Sequence, residues 1–212
     1  MEFDRLVRLV SDLRWFDLAT LVQLSDARRE TLRTQLHRFM QSGKVIPLRR
    51  GMYVLAPTYR KAKTHPPHLA NAIYAPSYLS DLWALSYHGV IPEHTVVLTS
   101  VTSRTPKRFV NDFGEFTYRH VKQTLFFGFS PIRMNDLKVF VASAEKALVD
   151  HWHLEHGEWT TDRLRAMRFD PAALNEGVLK MLIARLGKPR LVRAFENFRR
   201  VAREDEEGEV TL

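Results

Sequence analysis

Leu32, Leu36, Phe39 and Met40 stand at i, i+4, i+7 and i+8, and Gly43 follows them closely. That spacing puts four large apolar side chains on one stripe of a helix predicted over about Ala27–Ser42. Ser25 and Asp26 form the turn before it, with an N-cap candidate, and Gly43 is the residue just past its end. What comes next narrows the fold further. Val45 and Ile46, the charged turn Leu48-Arg49-Arg50-Gly51 and the β-prone Met52-Tyr53-Val54-Leu55 predict a two-stranded hairpin. Upstream, Leu6, Leu9, Val10 and Leu13 predict a first helix over about Phe3–Asp12, and a short second helix fits Asp17–Leu21 with Asp17 as its cap. Three helices followed by a small hairpin predict a winged helix-turn-helix over residues 1–56.

The charge distribution agrees with that prediction. Residues 1–65 carry 13 Lys and Arg against 6 Asp and Glu, whereas the remaining 147 carry 19 against 18, so nearly all of the formal +8 lies in the first third. A basic segment on a nearly neutral remainder is the electrostatic footprint of a nucleic-acid-binding module joined to a second domain. In a winged helix the third helix enters the major groove and the hairpin tip reaches the backbone or minor groove. The expected DNA contacts are therefore Arg28, Arg29, Arg33, Thr34 and His37 on the third helix and Arg49 and Arg50 at the wing. Arginine suits both tasks, because its planar fork takes guanine O6 and N7 bidentately or clamps a phosphate. A protein-protein module with solvated arginines is the competing reading of the same residues.

Composition removes whole classes. The chain has no Cys, which excludes disulfides, thiol nucleophiles, thiolate zinc sites and iron-sulfur clusters and fits a reducing cytoplasm. No apolar stretch approaches the roughly 18 residues needed to span a bilayer. With 212 residues the chain holds one large domain or two small ones.

Pro57, Pro66 and Pro67 bracket a charged stretch of weak periodicity, so residues 57–68 are predicted to be a linker. From residue 69 to 212 the expectation is an α+β domain with a helical C-terminal tail. Helical patterns surround Leu69, Ala70 and Ile73 and cover about Leu79–Tyr87; Thr95–Ser100, Glu115–Val121 and Leu137–Ala142 predict strands of one sheet. Four helices should follow, at about Ala144–Glu155, Thr161–Met167, Ala172–Leu186 and Arg190–Arg203. The five carboxylates between Glu204 and Glu209 are predicted to form a frayed, soluble tail.

Candidate chemistry in this domain is sparse. Glu145, Lys146 and Asp150 could hold Mg²⁺ in a nuclease. On a helix, however, Lys146 and Asp150 are an ordinary i, i+4 pair, with Ser143 a plausible N-cap and Glu145 in the first turn. His151, His153 and His156 resemble a metal cluster, yet on a helix only His153 and His156 share a face. Phe126, Phe127 and Phe129 could stack bases, but flanking basic residues are sparse, which favours a place in the core. No Gly-rich phosphate loop, G-x-S-x-G elbow or H-E-x-x-H motif is present, so the expectation is no enzyme, no cofactor and no metal.

Pro76-Ser77-Tyr78-Leu79-Ser80, Ala84-Leu85 and His88-Gly89-Val90-Ile91-Pro92-Glu93 resemble the start of the C-terminal domain of AbiEi-type antitoxins. Phe126-Phe127-Gly128 and the helix start Ala142–Asp150 continue the resemblance, and Arg50-Gly51-Met52-Tyr53 is similar to the wing of their N-terminal domain. The similarity covers most of residues 15–155 and is weaker over 156–212. It implies a bacterial type IV toxin-antitoxin system. Such an antitoxin represses its own operon by binding double-stranded promoter DNA through the winged helix. It counters a nucleotidyltransferase toxin through the second domain, without a stable complex. A stand-alone winged-helix transcriptional regulator and a metal-dependent nucleic-acid-processing enzyme are the alternatives. Whether one or two copies fill the operator stays open at this level.

Overall fold

The structure, a computed structural model, describes residues 1–209. Its first six elements are α1 (Phe3–Val10), β1 (Phe16–Asp17), α2 (Leu18–Leu24), α3 (Arg29–Gln41), β2 (Val45–Arg49) and β3 (Met52–Leu55). Asp17 caps α2 as expected, accepting from the Thr20 amide at 2.7 Å. α3 starts two residues later than predicted, at Arg29 with Arg28 as an N-cap lacking a side-chain bond. The physical reason is that Ser25 is already engaged: its hydroxyl donates to the Leu21 carbonyl at 2.7 Å and closes α2 instead. At the other end Gly43 takes φ +67°, and the bonds from Gly43 N–H to Met40 O and Lys44 N–H to Phe39 O form a Schellman cap.

β1 pairs antiparallel with β3, which pairs antiparallel with β2, giving a three-stranded sheet in the order β1-β3-β2. Leu6, Val10, Phe16, Leu21, Leu32, Leu36, Val45 and Leu55 form the buried core beneath it. Successive strand residues face opposite sides, and β3 uses both. Tyr53 and Leu55 turn toward that core, while Met52 and Val54, with Leu48 of β2, belong to the core of the rest of the chain. Asn111 adds a side-chain bond to the Leu48 carbonyl at 2.9 Å. The hairpin is thus packed on both faces.

The stretch after it is held down as well. The Lys61 and Ala62 amides donate to the Ser11 carbonyl at 2.9 and 3.2 Å, just past the end of α1. Pro66 and Pro67, which bound the predicted linker, are the first residues of α4 (Pro66–Ile73), where a missing N–H costs nothing.

The remainder is mixed α and β. A six-stranded sheet runs in the order β6-β7-β5-β4-β9-β8, from β4 (Ser77–Leu79), β5 (Leu98–Thr102), β6 (Lys107–Asn111), β7 (Gly114–His120), β8 (Phe129–Met134) and β9 (Leu137–Ala142). Between β4 and β5 lies α5 (Asp81–Tyr87), and after β9 come α6 (Ala144–Leu154), α7 (Thr161–Met167), α8 (Glu176–Leu186) and α9 (Pro189–Glu209). The start predicted for α5 at Leu79 is corrected, since Ser77–Leu79 pairs with both β5 and β9. α8 begins at Glu176, capped by Asn175, with a separate 3-10 turn at Pro171–Ala173 where the prediction ran one helix from Ala172. The predicted frayed end is also corrected, because the α9 backbone stays helical through Glu209.

Helices cover both sheet faces. Tyr118 of β7 donates to the Ala70 carbonyl of α4 at 2.6 Å, whereas Tyr78 of β4 donates to Asp150 of α6 at 3.0 Å. α7, α8 and α9 extend the core beyond α6 through Leu164, Leu179, Ile183, Leu191 and Phe198. Arg190 fixes the end of α6 by donating to the carbonyls of Glu155, Gly157 and His153 at 2.7, 2.6 and 3.1 Å, a charged substitute for a cap. Among the described residues, no helix is long and apolar enough to cross a membrane.

Candidate nucleic-acid interface and the buried polar clusters

α3 buries Leu32 and Leu36 and packs Phe39 and Met40 partly against the same core, which leaves its opposite face to solvent. Arg29, Arg33 and His37 follow each other at i, i+4 and i+8, so they form one row beside the buried stripe. Arg28, Arg29, Arg33, Thr34, His37 and Arg38 are all exposed. The Thr34 hydroxyl donates back to the Glu30 carbonyl at 3.2 Å, leaving its lone pairs outward.

What sets these arginines apart is the absence of local counter-charge. Of the thirteen arginines from residue 69 onward, eight lie within ion-pair distance of a carboxylate, including Arg108 on Glu115 at 2.6 Å and Arg193 on Glu158 at 2.7 Å. Of the nine in residues 1–56, among the described residues only Arg5 does, at 3.6 Å from the exposed Asp26. Arg28, Arg29, Arg33 and Arg38 are thus free to neutralise an external anion.

The hairpin divides its two arginines. Gly51 takes φ +81° to close the turn, a left-handed conformation that disfavours other residues. Arg49 folds back toward α4, its Nε donating to the Ile73 carbonyl at 2.6 Å and its Nη1 to the Arg50 carbonyl at 3.1 Å. Arg50 extends from the exposed tip. Sequence reasoning treated the two as equivalent, and position in the fold does not. We expect Arg49→Ala to cost about 1 kcal/mol of stability for the lost hydrogen bonding. Arg50→Ala should leave stability unchanged within about 0.5 kcal/mol. Urea unfolding of both variants checks this, and equal midpoints would remove the distinction.

The Glu145, Lys146 and Asp150 group separates in three dimensions. Glu145 points to α8 and accepts from the Asn175 amide at 3.1 Å. Ser143 caps α6 as expected, accepting from the Lys146 amide at 3.2 Å. Lys146 and Asp150 are 1% and 2% exposed and form an ion pair inside the core. Asp150 also accepts from Tyr78 at 3.0 Å and Ser80 at 2.8 Å, and Lys146 donates to the Tyr78 oxygen at 2.8 Å. Burial pushes the Asp150 carboxyl up and the Lys146 ammonium down, each opposed by the charge of the other. Phe129 stacks on Tyr78 at 4.4 Å with Phe126 beside both, while Phe127 lies under the Arg185 guanidinium at 3.6 Å. The aromatic run roofs the ion pair. Gly128, at φ +76°, passes so close that an added Cβ would sit 2.9 Å from Lys146 Cγ.

A second cluster lies next to the first. Asp81, 3% exposed and with φ +56°, accepts from His151 Nδ1 at 2.5 Å and from Arg119 at 2.8 Å. Arg119 also reaches Glu155 at 2.6 Å. Burial raises the Asp81 carboxyl, but His151 and Arg119 together outweigh it and hold the group below its ordinary range. Asp81, His151 and Glu155 bring ligand atoms within 4.8 Å of one another, and the Arg119 guanidinium already supplies the positive charge between the two carboxylates. The face expected to be shared by His153 and His156 is corrected, because α6 ends at Leu154. His153 instead contacts Lys188 at 3.2 Å, and burial followed by the charges of Lys188 and Arg190 lowers it to about 4. The Lys188 and Arg190 charges beside that imidazole repel a divalent ion.

No pattern in the sequence linked Asp81 to Arg119 or Tyr78 to Asp150, since their separations reach 72 residues. Compared with known proteins, the chain matches no protein-family model and no curated protein.

Proposed function

We propose that the chain is a DNA-binding transcriptional regulator that reads promoter DNA with α3 and steadies it with the hairpin tip. The carrying observation is the exposed, unpaired arginine set Arg28, Arg29, Arg33 and Arg50, with Thr34 and His37 on the same helix. The element order α1-β1-α2-α3-β2-β3 supports reading residues 1–56 as a winged helix.

The resemblance to AbiEi-type antitoxins gives the second domain its role in this proposal, that of countering a nucleotidyltransferase toxin. The residues that carry the resemblance converge: Tyr78, Ser80, Lys146 and Asp150 form one buried hydrogen-bonded cluster, with the half-buried Phe126 and the exposed Gly128 packed against it. They behave as one structural signature.

A mobility shift with the protein's own upstream DNA, against unrelated DNA, tests the first clause. Selective binding that falls roughly 10² to 10³-fold between 50 and 200 mM salt is expected if about five arginines meet phosphates. Folded protein with no selective binding would overturn it. Co-expression with a neighbouring nucleotidyltransferase tests the second clause, where growth must be rescued by the intact chain.

A further inference from the structure

Residues 57–65 and the turn between β8 and β9 enclose a cleft of about 560 Å³. Its walls carry Arg60, Lys61, Lys63, Thr64 and His65 from one side and Asp136 from the other. Three side-chain atoms here, Arg60 Nη1, Thr64 Oγ1 and His65 Nδ1, are shielded from solvent and have no hydrogen-bond partner. Each such orphan costs about 1 to 3 kcal/mol, and folded proteins keep few of them. Three within six residues, all belonging to the walls of one cleft, are donors and acceptors that an ordered water or a bound external group would satisfy.

The charge of such a group follows from the walls. Lys61 is paired with Asp12 at 3.4 Å and Asp136 with Arg133 at 3.1 Å, while Arg60 and Lys63 have no carboxylate within ion-pair distance among the described residues. The Arg60 guanidinium lies over the Phe113 ring at 5.3 Å. Burial lowers the Arg60 guanidinium and the His65 imidazole, so both gain from a nearby negative charge. A guanidinium, a hydroxyl, an imidazole and an ammonium free of any carboxylate around one space are the donor set of a tetrahedral oxyanion site.

We propose that this cleft binds a phosphate group. The group comes either from the DNA backbone beyond the α3 contacts or from a free phosphorylated small molecule. The site stands independently of the DNA-binding reading. Because the same segment bonds to the end of α1 and leads into α4, an occupied cleft ties the two halves of the chain together.

The test is calorimetric titration of the full chain with inorganic phosphate at constant ionic strength, repeated on Thr64→Val and Lys63→Gln. Thr64→Val is nearly isosteric and removes a hydroxyl that makes no hydrogen bond within the chain. Saturable binding in the wild type, weakened tenfold or more in each variant, is the expected result. Parallel measurement with upstream DNA separates the sources: a salt slope lower by about 1 in Lys63→Gln assigns the site to a backbone phosphate. Unchanged DNA affinity with lost phosphate binding assigns it to a free ligand. Phosphate binding that persists unaltered in both variants overturns the proposal. So does a folded wild type that binds no phosphate while the variants keep wild-type DNA affinity. Should the chain bind no DNA at all, the phosphate titration alone still decides.

Discussion

Asp150→Ala is expected to destabilise the protein by about 3 to 5 kcal/mol, because it strands the Lys146 ammonium in the core without its counter-ion. For a chain of this size that is a drop in Tm of roughly 6 to 20 °C. The Tyr78 hydroxyl alone remains against the Lys146 nitrogen, and Ser80 loses its acceptor. Removing both charges together, in Lys146→Met with Asp150→Leu, should cost less than Asp150→Ala alone. The double variant leaves no unpaired charge at this site, only the two hydroxyls to be satisfied. Calorimetric melting of the two proteins is the check. A single variant melting within about 2 °C of wild type would mean that Lys146 finds water or a new partner, and the pair would then have no structural role.

The second large effect concerns DNA. Arg29→Ala with Arg33→Ala removes two members of one helical row, neither of which holds the fold together. Two such contacts are worth about 2 to 6 kcal/mol if they meet guanine edges. The double variant should therefore bind promoter DNA at least about 30-fold more weakly. If they meet phosphates instead, the salt slope should fall by about 2. Stability should change by less than about 0.5 kcal/mol per site, since both side chains are exposed and unpaired. Fluorescence anisotropy on labelled upstream DNA at several salt concentrations separates the two cases, and an unchanged affinity and slope would exclude α3 from the interface.

Local elements were legible wherever a chain-local signal was strong. β9 and α7 fall at their predicted bounds, because a six-residue stretch apolar except for Lys138 and a helical stripe with a capping Thr160 are complete within themselves. Gly43 announced the end of α3, and Asp17 the start of α2. Short or interrupted strands were not legible. β4 has three residues, too few to display a period, and β8 contains Pro131, which suits an edge strand but reads as a break. Unlike the strands, the basic set on α3 needed no tertiary knowledge, since arginines off an apolar stripe are outward by construction.

The sequence by itself determined that a basic helical unit ending in a hairpin precedes a near-neutral α+β domain, because helical and strand periods and net charge are properties of neighbouring residues. Only the tertiary structure decided which side of each element is covered and by what. It buried Met52 and Val54 of the hairpin in the second half of the chain, turned Arg49 onto Ile73 and left Arg50 outside. It also made an unremarkable i, i+4 pair into a core ion pair by bringing Tyr78 and Ser80 to it from about 70 residues away. Burial is a relation between distant segments, and it sets the energy of a charge far more strongly than the identity of the residue does.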